Sequence, residues 1–179
     1  VCFLVPHCLD IFFPHQATPP VHTPRVTDFV RHTNAIEWDN RAKSELAVHP
    51  HGPEHIHSDI CSFLTPWAHT RIAQLKNRGQ PMTVDSLHFI WKNPRLSVSR
   101  YAQCDKCGHR CCYDPGSIHW AGTPCVDWSP MGKGKGGDGD TALCFAAWCA
   151  LMLLCLPAMI VHENSHKFDL RVLVRIFFC

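Results

Sequence analysis

A chain of 179 residues, 46% apolar and 18% charged, can bury one sizeable core, which excludes disorder throughout. Its formal net charge of +2 is too small to announce a nucleic-acid partner by itself. Twelve cysteines are many, but Cys144, Cys149 and Cys155 lie in an apolar run like small core residues, and no basic region with a small-residue cleavage site opens the chain. A reducing, intracellular setting is expected, nuclear in a eukaryote. The start at Val1 and the apolar end Arg171–Cys179 suggest a piece of a longer protein or an altered gene product.

Four segments are expected. Residues 1–33 are rich in Pro, His and aromatics and read as irregular, with Thr18–Pro24 an extended linker. In 34–64 a short strand ends near Asn34–Trp38, and Asp39 caps a helix through Leu46 that His49-Pro-His-Gly-Pro53 stops. A second extended piece ends at His57–Ile60. Residues 65–115 form a basic, cysteine-bearing insertion with a helix near Arg71–Asn77 and a strand at Leu87–Trp91. From Arg71 to Arg110 eight basic residues stand against Asp85 and Asp105, an excess that suits phosphates. Residues 116–179 open with a strand at Ile118–Ala121 and a loop, 130–140, with five glycines in eleven residues. Ala142–Val161 is twenty residues without a charge, long enough for a membrane span. Pro157 divides it instead into a helix, 141–156, and a strand, 158–162. Alternating strands and helices predict an α/β fold with a mostly parallel sheet.

Cys125 follows Pro124 where a strand gives way to a loop, and Glu163-Asn164 leave the next predicted strand. In a parallel sheet two such strand ends share the edge where ligands of open α/β sheets bind. A thiolate nucleophile on an exposed turn, with a carboxyl group opposite, can add to an electrophilic ring carbon.

Gly122-Thr-Pro-Cys-Val-Asp-Trp-Ser129 followed by Glu163-Asn164 resembles the catalytic motifs of cytosine-5 DNA methyltransferases. Ile36-Glu-Trp-Asp39 and His57-Ser-Asp-Ile60 resemble that family's second and third cofactor motifs, in the family's order and at about its spacing. The resemblance covers about half the chain. It implies a partial Rossmann-like fold that moves a methyl group from S-adenosylmethionine to carbon 5 of a flipped-out cytosine in DNA. Glu37 would hold the ribose hydroxyls, Trp38 would pack on the adenine, and Asp59 would accept from its amino group. Cys125 would be the nucleophile, Glu163 would bind the base, and Asn164 would order the loop. Lys133 and Lys135 would meet phosphates. Gln16-Ala-Thr-Pro-Pro20 stands where the family has a Phe-x-Gly-x-Gly loop, and His57 and Val126 replace a usual Gly and a usual polar residue. The family's Gln-x-Arg motif and target-recognition region are not found. Poor cofactor affinity and no turnover by this chain alone are therefore expected.

Cys104-Asp-Lys-Cys-Gly-His-Arg-Cys-Cys112 carries the spacing of half a zinc site. Its other donors crowd too closely to complete a tetrahedron without strain, and His49, His51, His55 and His57 read as exposed polar residues, so no metal ligands are assigned. A zinc-binding nucleic-acid module centred on Cys104–Cys112 and a single-span membrane protein are the rival readings.

Overall fold

The computed structural model describes residues 31–129, 131–132 and 134–178. The expected irregular segment 1–33 falls almost wholly outside these, as does Lys133.

The chain folds as a small mixed α/β unit built on three two-stranded sheets. Strand β1 (Asn34–Ile36) leads into helix α1 (Asn40–Val48) and returns through β2 (His55–His57), pairing parallel to β1. Asp39 caps α1 as its sequence position predicts, accepting from the Ala42 N–H at 2.9 Å. A short 3-10 helix, Ile60–Phe63, then opens on Asp59, whose Oδ1 accepts from the Cys61 N–H. Helix α2 (Pro66–Asn77) starts one residue after its Thr65 cap, and α3 (His88–Lys92) and α4 (Pro94–Ser97) follow. The hairpin β3 (Tyr101–Gln103) and β4 (Arg110–Cys112) is antiparallel. Strand β5 (Ile118–Gly122), helix α5 (Ala142–Cys155) and strand β6 (Met159–Glu163) form a second parallel crossover unit, and α6 (Leu170–Phe177) packs at the end.

Helix α5 is the centre of the core. Nine of its residues, from Ala142 to Met152, are buried, and it contacts α3, α4 and the 3-10 helix. Its end matches the division predicted at Pro157: Leu156 takes a left-handed conformation (φ 51°) and its N–H returns to Met152 O at 2.8 Å. Among the described residues no helix is long and apolar enough to cross a membrane, so the single-span reading is corrected.

Two further expectations are corrected. Within the expected strand Leu87–Trp91, Leu87 caps a helix that runs His88–Lys92, and its residues Phe89, Ile90 and Trp91 are buried beside α5. Burying each such side chain is worth ~1.5–3 kcal/mol, more than the ~1 kcal/mol span of strand preference. The mostly parallel single sheet is absent among the described residues: β1–β2 and β5–β6 are separate pairs. A doubly wound parallel sheet is covered on both faces. Here β5 turns His119 and Ala121 into the core, while Ile118 and Trp120 face outward at 61% and 45% exposure.

Candidate functional site

The strongest convergence of reactive side chains joins β2 to the β3–β4 hairpin. Asp105 N–H bonds Ile56 O at 2.7 Å, drawing the turn after β3 against the middle of β2. The turn itself is a Cys-x-x-Cys-Gly knuckle. Gly108 N–H closes it onto Cys104 O at 3.0 Å, and Gly108 has φ +71°, a conformation glycine adopts without strain. Cys104 N–H then meets His109 O at 2.9 Å, starting the return strand that presents Cys111. His57 Nδ1 lies 2.9 Å from Gln103 O, so the face of β2 carrying His57 is pressed on the hairpin. His55, two residues earlier, points the same way.

The result is a four-donor set. Donor atoms of His55, Cys104, Cys107 and Cys111 all lie within 4.8 Å of one another. His55 Nδ1 is 3.3 Å from Cys107 Sγ and 3.9 Å from Cys104 Sγ. Tetrahedral zinc bonds of ~2.3 Å to sulfur and ~2.0 Å to nitrogen require S···N separations of about 3.5 Å, between these two distances. Electrostatics agree with a cation there. Burial opposes ionisation of Cys104, but backbone hydrogen bonds at Cys107, Ile56 and Lys106 outweigh it and hold its thiol below the usual range. Burial and the neighbouring thiols push Cys111 up to about 12. Three adjacent thiols cannot all ionise until a divalent cation balances them.

The knuckle is also tied from outside. Lys43 Nζ donates to Asp105 Oδ2 at 2.9 Å and to Ser58 Oγ at 3.0 Å, Ser58 donates to the same carboxylate, and Lys106 Nζ donates to Pro53 O at 2.7 Å. Helix α1 and both ends of β2 are thereby fixed on the cysteine turn. Sequence reasoning missed His55 because it stands 49 residues before Cys104. The available signal was the His-x-His alternation of β2. His57, read as exposed, is fully buried against Phe63 and Tyr113, and burial lowers its pKa. His109, within the same turn, bonds Cys107 O instead of joining the donors.

The other expected residues fall at two strand-end pairs. Gly122 is in register with Glu163 in the parallel β5–β6 pair, so the Cys125 turn and Glu163-Asn164 leave the sheet at one end. Cys125 and Glu163 are both exposed. Asn164 Nδ2 donates to Thr123 Oγ1 at 2.9 Å and to Thr123 O at 3.3 Å, while its Oδ1 accepts from the Ser165 N–H at 2.8 Å, linking the two loops. Asp127 is buried where its Oδ2 accepts from Thr141 N–H and Oγ–H, anchoring the turn to the start of α5. Lys135 lies 3.9 Å from Asp140.

At the other pair, Glu37 and Asp59 follow β1 and β2, which also run parallel. Trp38 is 54% exposed and so does not serve the core. Asp59 is exposed and caps the 3-10 helix. Glu37 is buried, its Oε1 accepting from the Asp39 N–H at 2.8 Å, and burial raises its pKa.

Beneath β5–β6 lies a buried polar chain. Thr123 Oγ1 meets His162 Nε2 at 2.7 Å, and the His162 ring stacks on Trp148 at 5.0 Å. The Trp148 indole N–H donates to His119 Nε2 at 3.0 Å, leaving Nδ1 to carry the ring proton toward Tyr113 Oη at 3.2 Å. Burial lowers His119 and His162 to about 4.

Compared with known proteins, the chain matches no family model, no curated protein and no solved structure.

Proposed function

We propose that this chain is a zinc-stabilised nucleic-acid-binding module. The observation that carries it is the convergence of His55, Cys104, Cys107 and Cys111 from two distant stretches of chain into one donor set. Three thiolates and one imidazole are a structural zinc donor set, with no position left open for a substrate. The ion would clamp the hairpin on β2. Nucleic acid is the partner class because Arg71, Lys76, Arg78, Lys92, Arg95, Arg100, Lys106 and Arg110 are all exposed and make no ion pair among the described residues. Arg100, Lys106 and Arg110 also donate to backbone carbonyls and Arg71 lies over the Phe89 ring, but a surface cation without a carboxylate partner keeps its charge to displace counterions from phosphates.

The test is metal content and spectroscopy of the purified chain. One zinc per chain is expected, with cobalt substitution giving the intense absorption of a tetrahedral thiolate site. Loss of the metal in Cys107→Ser and in His55→Ala follows from the same geometry. A metal-free protein that folds identically with and without added zinc overturns the reading.

A second reading, a cytosine-5 DNA methyltransferase-like unit, is favoured by the alignment of Gly122 with Glu163. In a doubly wound sheet of order 3-2-1-4-5 the first strand separates two parallel pairs, and β1–β2 and β5–β6 have the character of those pairs. S-adenosylmethionine would supply the methyl group. Trp38 and Asp59 are accessible to such a cofactor, whereas Glu37 fits only after its buried carboxyl group turns outward. Cys125 would add to the flipped base and Glu163 would hold it.

A further inference from the structure

Cys61 and Cys144 are 83 residues apart in sequence, yet their sulfur atoms lie 3.8 Å apart. Cys61 sits in the 3-10 helix that follows β2, and Cys144 is the third residue of α5. Both are half-buried, so neither thiol is sealed from solvent. Neither belongs to the four-donor set, which lies at the other end of β2. Asp59 has an oxygen near both sulfur atoms, but its Oδ1 already accepts the Cys61 N–H. Two thiols and one exposed, engaged carboxylate fall short of the four donors that structural zinc takes.

We propose that Cys61 and Cys144 form a peroxide-oxidisable thiol pair whose disulfide staples the segment after β2 to the first turn of α5. The attacking sulfur is Cys144. The hydrogen bond with Cys61 outweighs burial and lowers Cys144 to about 7, and thiols near a helix N-terminus favour the thiolate. The Cys144 thiolate attacks one oxygen of hydrogen peroxide, breaking the O–O bond to give a sulfenic acid and hydroxide. Cys61 sulfur then attacks the sulfenic sulfur, the S–S bond forms and the second oxygen leaves as water. Two thiols thus lose two electrons and two protons, and one peroxide becomes two waters. A sulfur separation of 3.8 Å has to close to ~2.05 Å for the bond to form. The staple joins the β2 end bearing Asp59 to the helix that follows the Cys125 loop, so it restrains both halves of the chain at once.

The experiment treats zinc-loaded protein with hydrogen peroxide, blocks remaining thiols and maps linked peptides by mass spectrometry. The expected product is one Cys61–Cys144 peptide pair, two mass units lighter than its parts, formed before any metal is released. Its rate rises with pH and is half-maximal near pH 7. Cys61→Ser and Cys144→Ser each abolish the pair, and matching reduced-state melting curves for both variants keep misfolding from imitating that loss. A second zinc equivalent that shields both thiols from alkylation would overturn the proposal in favour of a metal site. Oxidation confined to other cysteines, with Cys61 and Cys144 still alkylatable, would also overturn it.

Discussion

The Trp148 indole N–H is hydrogen-bonded to His119 Nε2 at 3.0 Å within the core beneath β5, so this imidazole must stay neutral for the contact to exist. Its pKa of about 4, like that of His162, lies below the ordinary histidine value of 6.5. Between those values the unfolded chain binds more protons than the folded one. The stability these histidines contribute is therefore full above about pH 6.5 and is lost as pH drops toward 4. His57, also lowered by burial, acts in the same direction. Glu37, raised by burial, acts in the opposite one, but a single carboxyl group faces four histidines, since burial lowers His32 as well. Melting temperature measured against pH should be flat near neutrality and fall through this window. A flat profile down to pH 4 would mean that these rings are not buried neutral.

Removing metal from the proposed zinc site should loosen the hairpin and β2 before the α5 core. The donors join the β3–β4 turn to His55, while α5 packs chiefly on α3, α4 and the 3-10 helix. Structural zinc in isolated fingers contributes ~10–16 kcal/mol of folding energy, so a chelator should lower the melting temperature by many degrees. Hydrogen exchange is expected to speed first at Ile56, Cys104 and Cys111, and uniform acceleration would contradict a local clamp.

Gly139 and Gly79 should respond very differently to alanine. A Cβ on Gly139 would stand 1.9 Å from Asp127 Cγ, a buried side chain with no room to retreat. Displacing it breaks the two Thr141 hydrogen bonds and should cost about 3 kcal/mol or more. Gly79 has φ +65° but nothing within 4 Å of its added Cβ, so only the backbone penalty of about 1 kcal/mol applies. Chemical denaturation of both variants checks the contrast.

Local signals in the sequence were enough for much of the fold. Asp39 as a cap, the stop at His49 and the break at Pro157 each depend on a few neighbouring residues, and each stands where expected. The misses depend on distant contacts. Phe89, Ile90 and Trp91 form a helical turn because α5 covers them, which a five-residue window cannot reveal. Sheet assembly failed for the same reason, since strand pairing is decided between segments far apart. At the proposed zinc site the Cys104–Cys107 spacing was legible, but His55 was not. Its role arises only when β2 is laid on the hairpin.

Asn164 should prove a positioning residue for both β-strand-end loops. Its amide makes three hydrogen bonds, two to Thr123 and one to Ser165. Asn164→Ala leaves those partners without it in a half-buried site, at a cost of about 1–3 kcal/mol. Asn164→Asp keeps the acceptor for Ser165 but loses the donor to Thr123, so it should recover only part of that loss. Equal stability of all three proteins would show that the loops are held by other contacts.

The methyltransferase-like reading meets its sharpest test at Cys125. Its exposure predicts that Cys125→Ser will fold with unchanged stability, which separates chemistry from structure. In a fusion that supplies a Phe-x-Gly-x-Gly cofactor loop before β1 and a Gln-x-Arg motif after β6, DNA containing 5-fluorocytosine should become covalently attached in the presence of S-adenosylmethionine. Fluorine at carbon 5 cannot leave as a proton, so the thiol adduct persists. Cys125→Ser should abolish the adduct, because a neutral hydroxyl is a far poorer nucleophile than a thiolate. Glu163→Gln should reduce trapping strongly while leaving melting unchanged, as expected of an exposed side chain in contact with the base alone. Failure of the fusion to trap DNA, or trapping that survives Cys125→Ser, would remove this reading and leave the zinc-stabilised module standing alone.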